Sequence, residues 1–260
     1  MPLNYNKMRI VIITQDEPFY LSKNLIYLLK KLPKEHSIVG AVVTTASPFG
    51  KKENFIKKAL KTNRIFGLEF FLYYSFRFIY AKVFQKSVTS ILYEYEVERI
   101  KIKGSINSEK NLNIIKSYNP DLLVSILGNQ IFKKPLIELA PKGCINLHTA
   151  LLPKYRGLMP TFWVLKNNEQ YTGVSVFFVD EGIDSGPIII QEKVEIRKKT
   201  QQQLIKETKL IGMNLILKSI DLIAKGEFKV IENPDSQKSY YSFPSHEDVR
   251  IFKQKGKKFF

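Results

Sequence analysis

What the chain has little of narrows its class first. Cys144 is the single cysteine, which excludes an internal disulfide and a cysteine-built zinc site, so no metal is expected. Its place in the apolar run Gly143-Cys144-Ile145 reads as a buried structural thiol. Acidic residues are also scarce, 24 Asp and Glu against 41 Lys and Arg in 260 residues, leaving a formal charge of +17. An excess of that size fits nucleic acid, an anionic membrane surface or a phosphorylated small substrate, and it does not choose among them. No apolar run is long enough for an integral membrane segment. The most apolar stretch, Ile65 to Tyr80, is broken by Glu69 and Arg77 and bounded by Arg64 and Lys82, short of the ~20 residues a bilayer core needs. The first residues lack the charged, apolar and small-residue order of a signal peptide, so a cytoplasmic location is expected. The turn after the first apolar run reads Thr14-Gln15-Asp16-Glu17-Pro18 and lacks G-x-G-x-x-G, against a dinucleotide held on a helix amino terminus.

What is present is an alternation of buried strands and amphipathic helices. With 44% hydrophobic residues the chain can build one sizeable core. Residues 8–14 and 38–44 are continuous apolar runs of the kind buried on both faces of a parallel sheet, and Leu21, Leu25, Leu28, Leu29 and Leu32 fall between them at helical spacing, a βαβ unit. The pattern resumes with a helix over 109–118, stopped by Asn119-Pro120, a strand over 121–127, a short crossover helix over 134–139 and a strand from Gly143. Strands are predicted over 173–180 and 187–191, then a helix over 202–224 with Leu204, Ile205, Leu210, Met213, Leu217, Ile220 and Ile223 inward and Gly226 as its stop. Short strands over 228–231 and 240–243 and a basic helix and tail complete the chain. The expected fold is α/β, a doubly wound, mainly parallel twisted sheet with a short carboxyl-terminal helix and β extension. Residues 51–100 fit this plan least. Their aromatics surround any helix drawn through them, which leaves a helical insertion buried within the chain or at a homodimer contact, or an interfacial helix flanked by Lys57, Lys58, Lys61 and Arg64.

The stretch from Gly143 to Gly157 carries the chemistry. Period-2 geometry sends Asn146 and His148 to the same side of a strand, so an amide and an imidazole meet at its carboxyl end. Pro153, Arg156, Gly157 and Pro160 then set a stiff polar loop. Downstream, the tight acidic turn Asp180-Glu181-Gly182-Ile183-Asp184-Ser185-Gly186 follows a strand and offers Asp184 as the carboxylate partner of His148.

At these residues the chain resembles the folate-dependent formyltransferases, the family of methionyl-tRNA formyltransferase, glycinamide ribonucleotide formyltransferase and the sugar N-formyltransferases. Asn146-x-His148, Leu151-Leu152-Pro153, Gly157 and Asp184-Ser185-Gly186 match its motifs, and the likeness is strong from about residue 105 to 191. It implies a Rossmann-like catalytic domain over 1–200, with 51–100 as an aromatic-rich insertion, and a carboxyl-terminal extension over 201–260. It also implies formyl transfer from 10-formyltetrahydrofolate to a primary amine, with Asn146, His148 and Asp184 as the catalytic set. The donor would lie against Leu127, Gly128, Asn129, Gln130 and Ile131 and against Val179, Asp180, Gly182 and Ile183. The acceptor would meet Thr149, Arg156 and Gly157, with the Arg156 guanidinium forked onto a phosphate. About sixty residues follow Thr200, fewer than the roughly ninety of the OB-type barrel that grips tRNA in the tRNA-directed members. The first expectation is therefore a nucleotide-linked amino sugar as acceptor. Initiator methionyl-tRNA is the alternative, followed by a formyl-folate hydrolase or a non-catalytic folate-binding relative.

Overall fold

The computed structural model describes residues 7–45, 54–128 and 130–260. Strand β1 (Arg9–Gln15) shows how the sheet is built. Its five inner residues are buried, and alternate side chains leave on opposite faces: Ile10 and Ile12, with Met8 before them, enter one core, Val11 and Ile13 another. A strand with no polar face needs cover on both sides. The cover and the neighbouring strands follow as α1 (Leu21–Lys31), β2 (Ser37–Thr44), α2 (Phe55–Phe66), α3 (Leu68–Phe84), α4 (Val88–Glu94), β3 (Arg99–Ile100), α5 (Glu109–Lys116), β4 (Leu122–Ser125), α6 (Lys134–Ile137) and β5 (Cys144–His148). The second half contains β6 (Arg156–Gly157), α7 (Pro160–Lys166), β7 (Tyr171–Phe178), β8 (Ile188–Glu195), α8 (Gln201–Lys225), β9 (Tyr240–Tyr241) and α9 (His246–Gln254).

Seven strands form one sheet in the order β3-β2-β1-β4-β5-β7-β8. The first five are parallel, β7 runs antiparallel to β5, and β8 antiparallel to β7. This is the mainly parallel, doubly wound arrangement that the alternating pattern predicts. Helices α1, α4, α7 and α8 pack on one face, and α5 and α6 on the other. Strand order reverses at β1, which leaves a crevice beyond the carboxyl ends of β1 and β4, the usual place for a ligand in such sheets.

Helix α8 closes one side of that crevice. Thr200 and Gln203 form a capping box at its start, and Gly226 at φ 67° ends it. Its inward face differs from the one expected. Leu204, Met213, Ile220 and Ile223 are buried as predicted, but Leu210 is exposed, and Leu215 and Ile216 are buried in addition because the helix lies over both β7 and β8. Gly212 explains the close fit on β5, since a Cβ there would stand 2.6 Å from Leu147 Cδ2.

The segment after α8 makes less sheet than expected. Of 228–231, Ile231 alone bridges to Ile188, and β9 pairs in parallel with β6 instead of extending the main sheet. Beyond it, Phe252 and Phe259 are buried, each stacked parallel to Phe162 of α7.

The aromatic segment is buried within the chain on one side only. Of its expected range, residues 51–53 lie outside the described residues. Phe66, Phe70 and Tyr74 stack in sequence, and Phe66 and Phe70 pack edge-on to Phe259, so the inner side is built into the core. The outer side of α3 is exposed along its length, because no second layer covers it among the described residues. Among the described residues no helix is long and apolar enough to cross a membrane.

Candidate active site

Three segments bring the site together. β5 ends in Asn146 and His148, the Gly182–Gly186 turn carries Asp184, and the loop from Leu151 to Gly157 wraps beneath the imidazole. His148 Nε2 lies 2.7 Å from the Tyr155 carbonyl oxygen, and its Nδ1 faces Asp184 Oδ2 at 3.5 Å. A carbonyl only accepts, so Nε2 carries the proton and donates, which leaves Nδ1 of the neutral ring as a lone pair turned to the carboxylate. The Tyr155 carbonyl thus sets the tautomer, and Asp184 is the carboxylate facing the other ring nitrogen, the partnership expected from the sequence. Asp184 sits at φ 50° and is fixed twice: its Oδ2 accepts from the Gly157 N–H at 2.8 Å, and its backbone carbonyl accepts from Asn233 Nδ2 at 2.9 Å.

Two cavities meet at these residues, sharing Gly128, Asn146, Gly157, Leu158 and Asp184 in their walls. The first, of about 230 Å³, opens between the ends of β1 and β5 and the flank of α8; Leu127, His148 and Thr149 line it, with Gln15, Asn24 and Lys209 opposite. The second, of about 130 Å³, is walled by Ile131, Phe132, Phe177, Val179 and Ile183, with Gln130, Asp180 and Gly182 at its rim. A lining that combines apolar side chains with polar groups suits a heteroaromatic ring. Gln130 is held in place, its Oε1 accepting from the Ile106 N–H at 2.9 Å, and Asp180 accepts from the Ser185 hydroxyl at 2.6 Å. Asn129 lies outside the described residues.

Arg156 departs from its expected place. It is 3% exposed and points away from both cavities. Its guanidinium donates to Asp235 at 2.7 Å and to the Asn233 carbonyl and side-chain oxygens at 2.9 Å each. The fork anticipated for a phosphate is filled by the protein's own segment, and Asn233 thereby links Arg156 to the Asp184 turn. Lys154 does not line either cavity.

Lys209 was not anticipated, although Gly212 and Met213 lie three and four residues on and put it on the inward face of α8. Desolvation holds its ammonium below the usual lysine range, with the Glu17 carboxylate pulling the other way. Glu17 itself accepts from the Phe19, Tyr20 and Leu21 N–H groups at 2.9–3.0 Å. The start of α1 is a ready anion site in this type of sheet, and here the chain's own carboxylate fills it. The cation left facing the larger cavity is Lys209. Neither Glu17 nor Lys209 belongs to a local motif, so only their place in the fold reveals them.

Comparison with known proteins agrees with this geometry. Residues 81–220 match the model of the family described as Formyl transferase, and that span holds β4, β5, β7, β8 and most of α8. The methionyl-tRNA formyltransferase of Kosmotoga olearia is 33% identical over 169 residues, 65% of this chain and 54% of that protein. The chain spans about half the length, or less, of the first such relatives it matches. Two solved structures share the fold: glycinamide ribonucleotide transformylase 1 of Symbiobacterium toebii, with TM-score 0.63 and 16% identity over 89% of this chain and 98% of that one, and an N-formyltransferase of Helicobacter canadensis in complex with folinic acid and dTDP-3-aminofucose, with TM-score 0.58 and 19% identity over 94% and 79%. With a family model covering more than half of its residues and a sheet of the same architecture beneath, the chain belongs to the formyl transferase family.

Proposed function

We propose that the chain transfers a formyl group from 10-formyltetrahydrofolate to the primary amine of a phosphorylated amino sugar, a nucleotide-linked one for preference. The observation that carries this reading is the meeting of Asn146, His148 and Asp184 where two cavities join. The smaller cavity would take the pterin of the donor, with the exposed Ile131 and Ile183 among the apolar side chains that line it. When bound, formyl-folate supplies the electrophilic formyl carbon. The Asn146 side chain makes no hydrogen bond to any described residue, so its amide N–H is free to donate to the formyl oxygen as negative charge develops there. His148 would take the amine proton at Nδ1 as the new C–N bond forms, and Asp184 at 3.5 Å would stabilise the resulting cation. The proton can then pass to the departing folate nitrogen.

On the acceptor side, Lys209 would attract a phosphate, while Gln15 and Asn24 offer amides to hydroxyl groups. With Glu17 filling the start of α1, a phosphate has no place there. A second reading, initiator methionyl-tRNA, is favoured by the names of the curated relatives and by the charge of +17. An acceptor screen with 10-formyltetrahydrofolate decides between them. Nucleotide-activated 3- and 4-amino sugars should be formylated well above methionylated initiator tRNA and glycinamide ribonucleotide. Lys209→Met should raise KM for the sugar nucleotide about tenfold or more with kcat nearly kept, the mark of a binding contact made equally in ground and transition states. Faster formylation of tRNA than of every sugar would reject the sugar reading, and the absence of any tetrahydrofolate release would reject formyl transfer itself.

A further inference from the structure

We propose that the outer face of α3 is an interfacial surface that lies on an anionic lipid bilayer. Leu68, Leu72, Phe76, Ile79 and Val83 follow one another at spacings of four, four, three and four, which gathers them into about 80° of the helix. They stand opposite Phe70 and Ala81, the buried residues of the same helix, and each is more than half exposed, Phe76 at 69%. Phe84 at 72% extends the patch at the carboxyl end. The exposed apolar area is on the order of 500 Å², the upper end of what a typical monomer shows anywhere on its surface.

The helix does not present this face through loose packing. Its inner side is held by the Phe66, Phe70 and Tyr74 stack, by Tyr73 stacked on Phe260 at 3.9 Å, and by Arg77, which donates to the Tyr20 hydroxyl at 3.1 Å. The outer face is therefore a fixed surface. A helix of 17 residues, about 25 Å long, with Arg77 turned into the protein cannot span a bilayer but can lie along one, its bulky side chains reaching the acyl boundary. Charge selects the occupant. The adjoining α2 presents Lys57, Lys58, Lys61 and Arg64 on exposed positions, and the chain carries +17. On α3 itself the exposed Glu69 and Lys82, the latter 3.9 Å from Asp16, border the stripe with opposite charges. A second copy of so basic a chain would be repelled, whereas anionic headgroups would be attracted at roughly 1 kcal/mol per surface cation.

Co-sedimentation tests this, comparing vesicles of phosphatidylcholine with vesicles containing phosphatidylglycerol as well. The full chain should bind only the mixed vesicles and leave them as salt is raised. The combined variant Leu72→Ser, Phe76→Ser and Ile79→Ser should lose vesicle partition at least about tenfold, given the apolar area removed. Its thermal midpoint should not fall, because these side chains touch solvent. In a separate variant, Phe76→Trp should shift its emission to the blue on mixed vesicles, while the buried Trp163 supplies a constant background. Failure of the wild-type chain to bind mixed vesicles would overturn the proposal, as would unchanged binding of the triple variant. Conversion of a lipid-inert dimer to a monomer by the same three changes would overturn it in favour of a self-interface.

Discussion

At the scale of single residues, the site turns on which atoms already have partners. His148 Nε2 is committed to the Tyr155 carbonyl, Asp184 Oδ2 to the Gly157 N–H, and the Asn146 amide to no described group. Asn146→Ala should therefore lower kcat by about 10²–10³-fold with little change in KM for the donor, since it would remove a contact made as charge develops. Asp184→Asn keeps the shape and an oxygen for Gly157 but removes the charge facing Nδ1, so its kcat should also fall while the melting temperature stays within a few degrees. Steady-state kinetics with circular dichroism separates these outcomes, and near-normal turnover of Asn146→Ala would discard the assignment. His36 supplies a contrast. It is buried, its Nδ1 accepts from the Met8 N–H at 3.3 Å, and burial lowers its pKa below 6.5 against the opposing pull of Glu35 and Asp221. The folded chain then binds this proton less readily than the unfolded chain. The stability it contributes is complete above about pH 6.5 and is lost as pH falls through the lowered folded value. His36→Gln should flatten the fall in melting temperature between pH 7.5 and 5.5 and leave turnover intact. The Asn146-x-His148 pair was legible because β-strand period alone aligns it. The Tyr155 carbonyl was not, since a backbone group becomes a partner only when the loop has its shape.

At the scale of elements, the short parallel pair of β6 and β9 fastens the carboxyl-terminal segment beneath the site. Gly157 at φ 95° is the narrow point, because a Cβ there would collide with the Tyr241 carbonyl oxygen and the Tyr240 ring. Gly157→Ala should add about 1–3 kcal/mol of backbone strain before the collision is counted, displace β9, and loosen the N–H that holds Asp184. Lower kcat together with new proteolytic cleavage between 227 and 245 is the expected pair of results; full activity would mean that β9 does not support the site. Sequence motif brought Gly157 and Arg156 to notice together, yet for different reasons from those found. The glycine serves a close backbone approach, and the arginine is spent on Asn233 and Asp235, some eighty residues away, a distance over which local pattern carries no information.

At the scale of the molecule, we propose that residues 201–260 fold with the sheet as one unit instead of forming an appendage. Helix α8 lies on β5, β7 and β8, and the Gln201 and Gln202 N–H groups donate to the Lys258 and Phe259 carbonyls. Phe252, fully buried against Phe162 and Phe259, links the last helix to α7. Calorimetry should show a single transition, and Phe252→Ala should lower its stability by about 3–5 kcal/mol without splitting it. Two resolved transitions, with only the earlier one sensitive to Phe252, would make the extension a separate unit.

Sequence by itself determined the layered α/β plan and drew attention to Asn146, His148 and Asp184. Buried strands betray themselves by continuous apolar runs, and Asn146, His148 and Asp184 lie in short segments whose geometry is local. Tertiary structure alone decided what surrounds them. Which cation faces the larger cavity, which carboxylate fills the start of α1, whether Arg156 meets a ligand or the protein, and which side of α3 remains bare all depend on contacts between residues far apart in the chain. A helical wheel can sort residues by face, but only the packed neighbours tell which face meets solvent, because charge and apolar area act on whatever surface the fold leaves beside them.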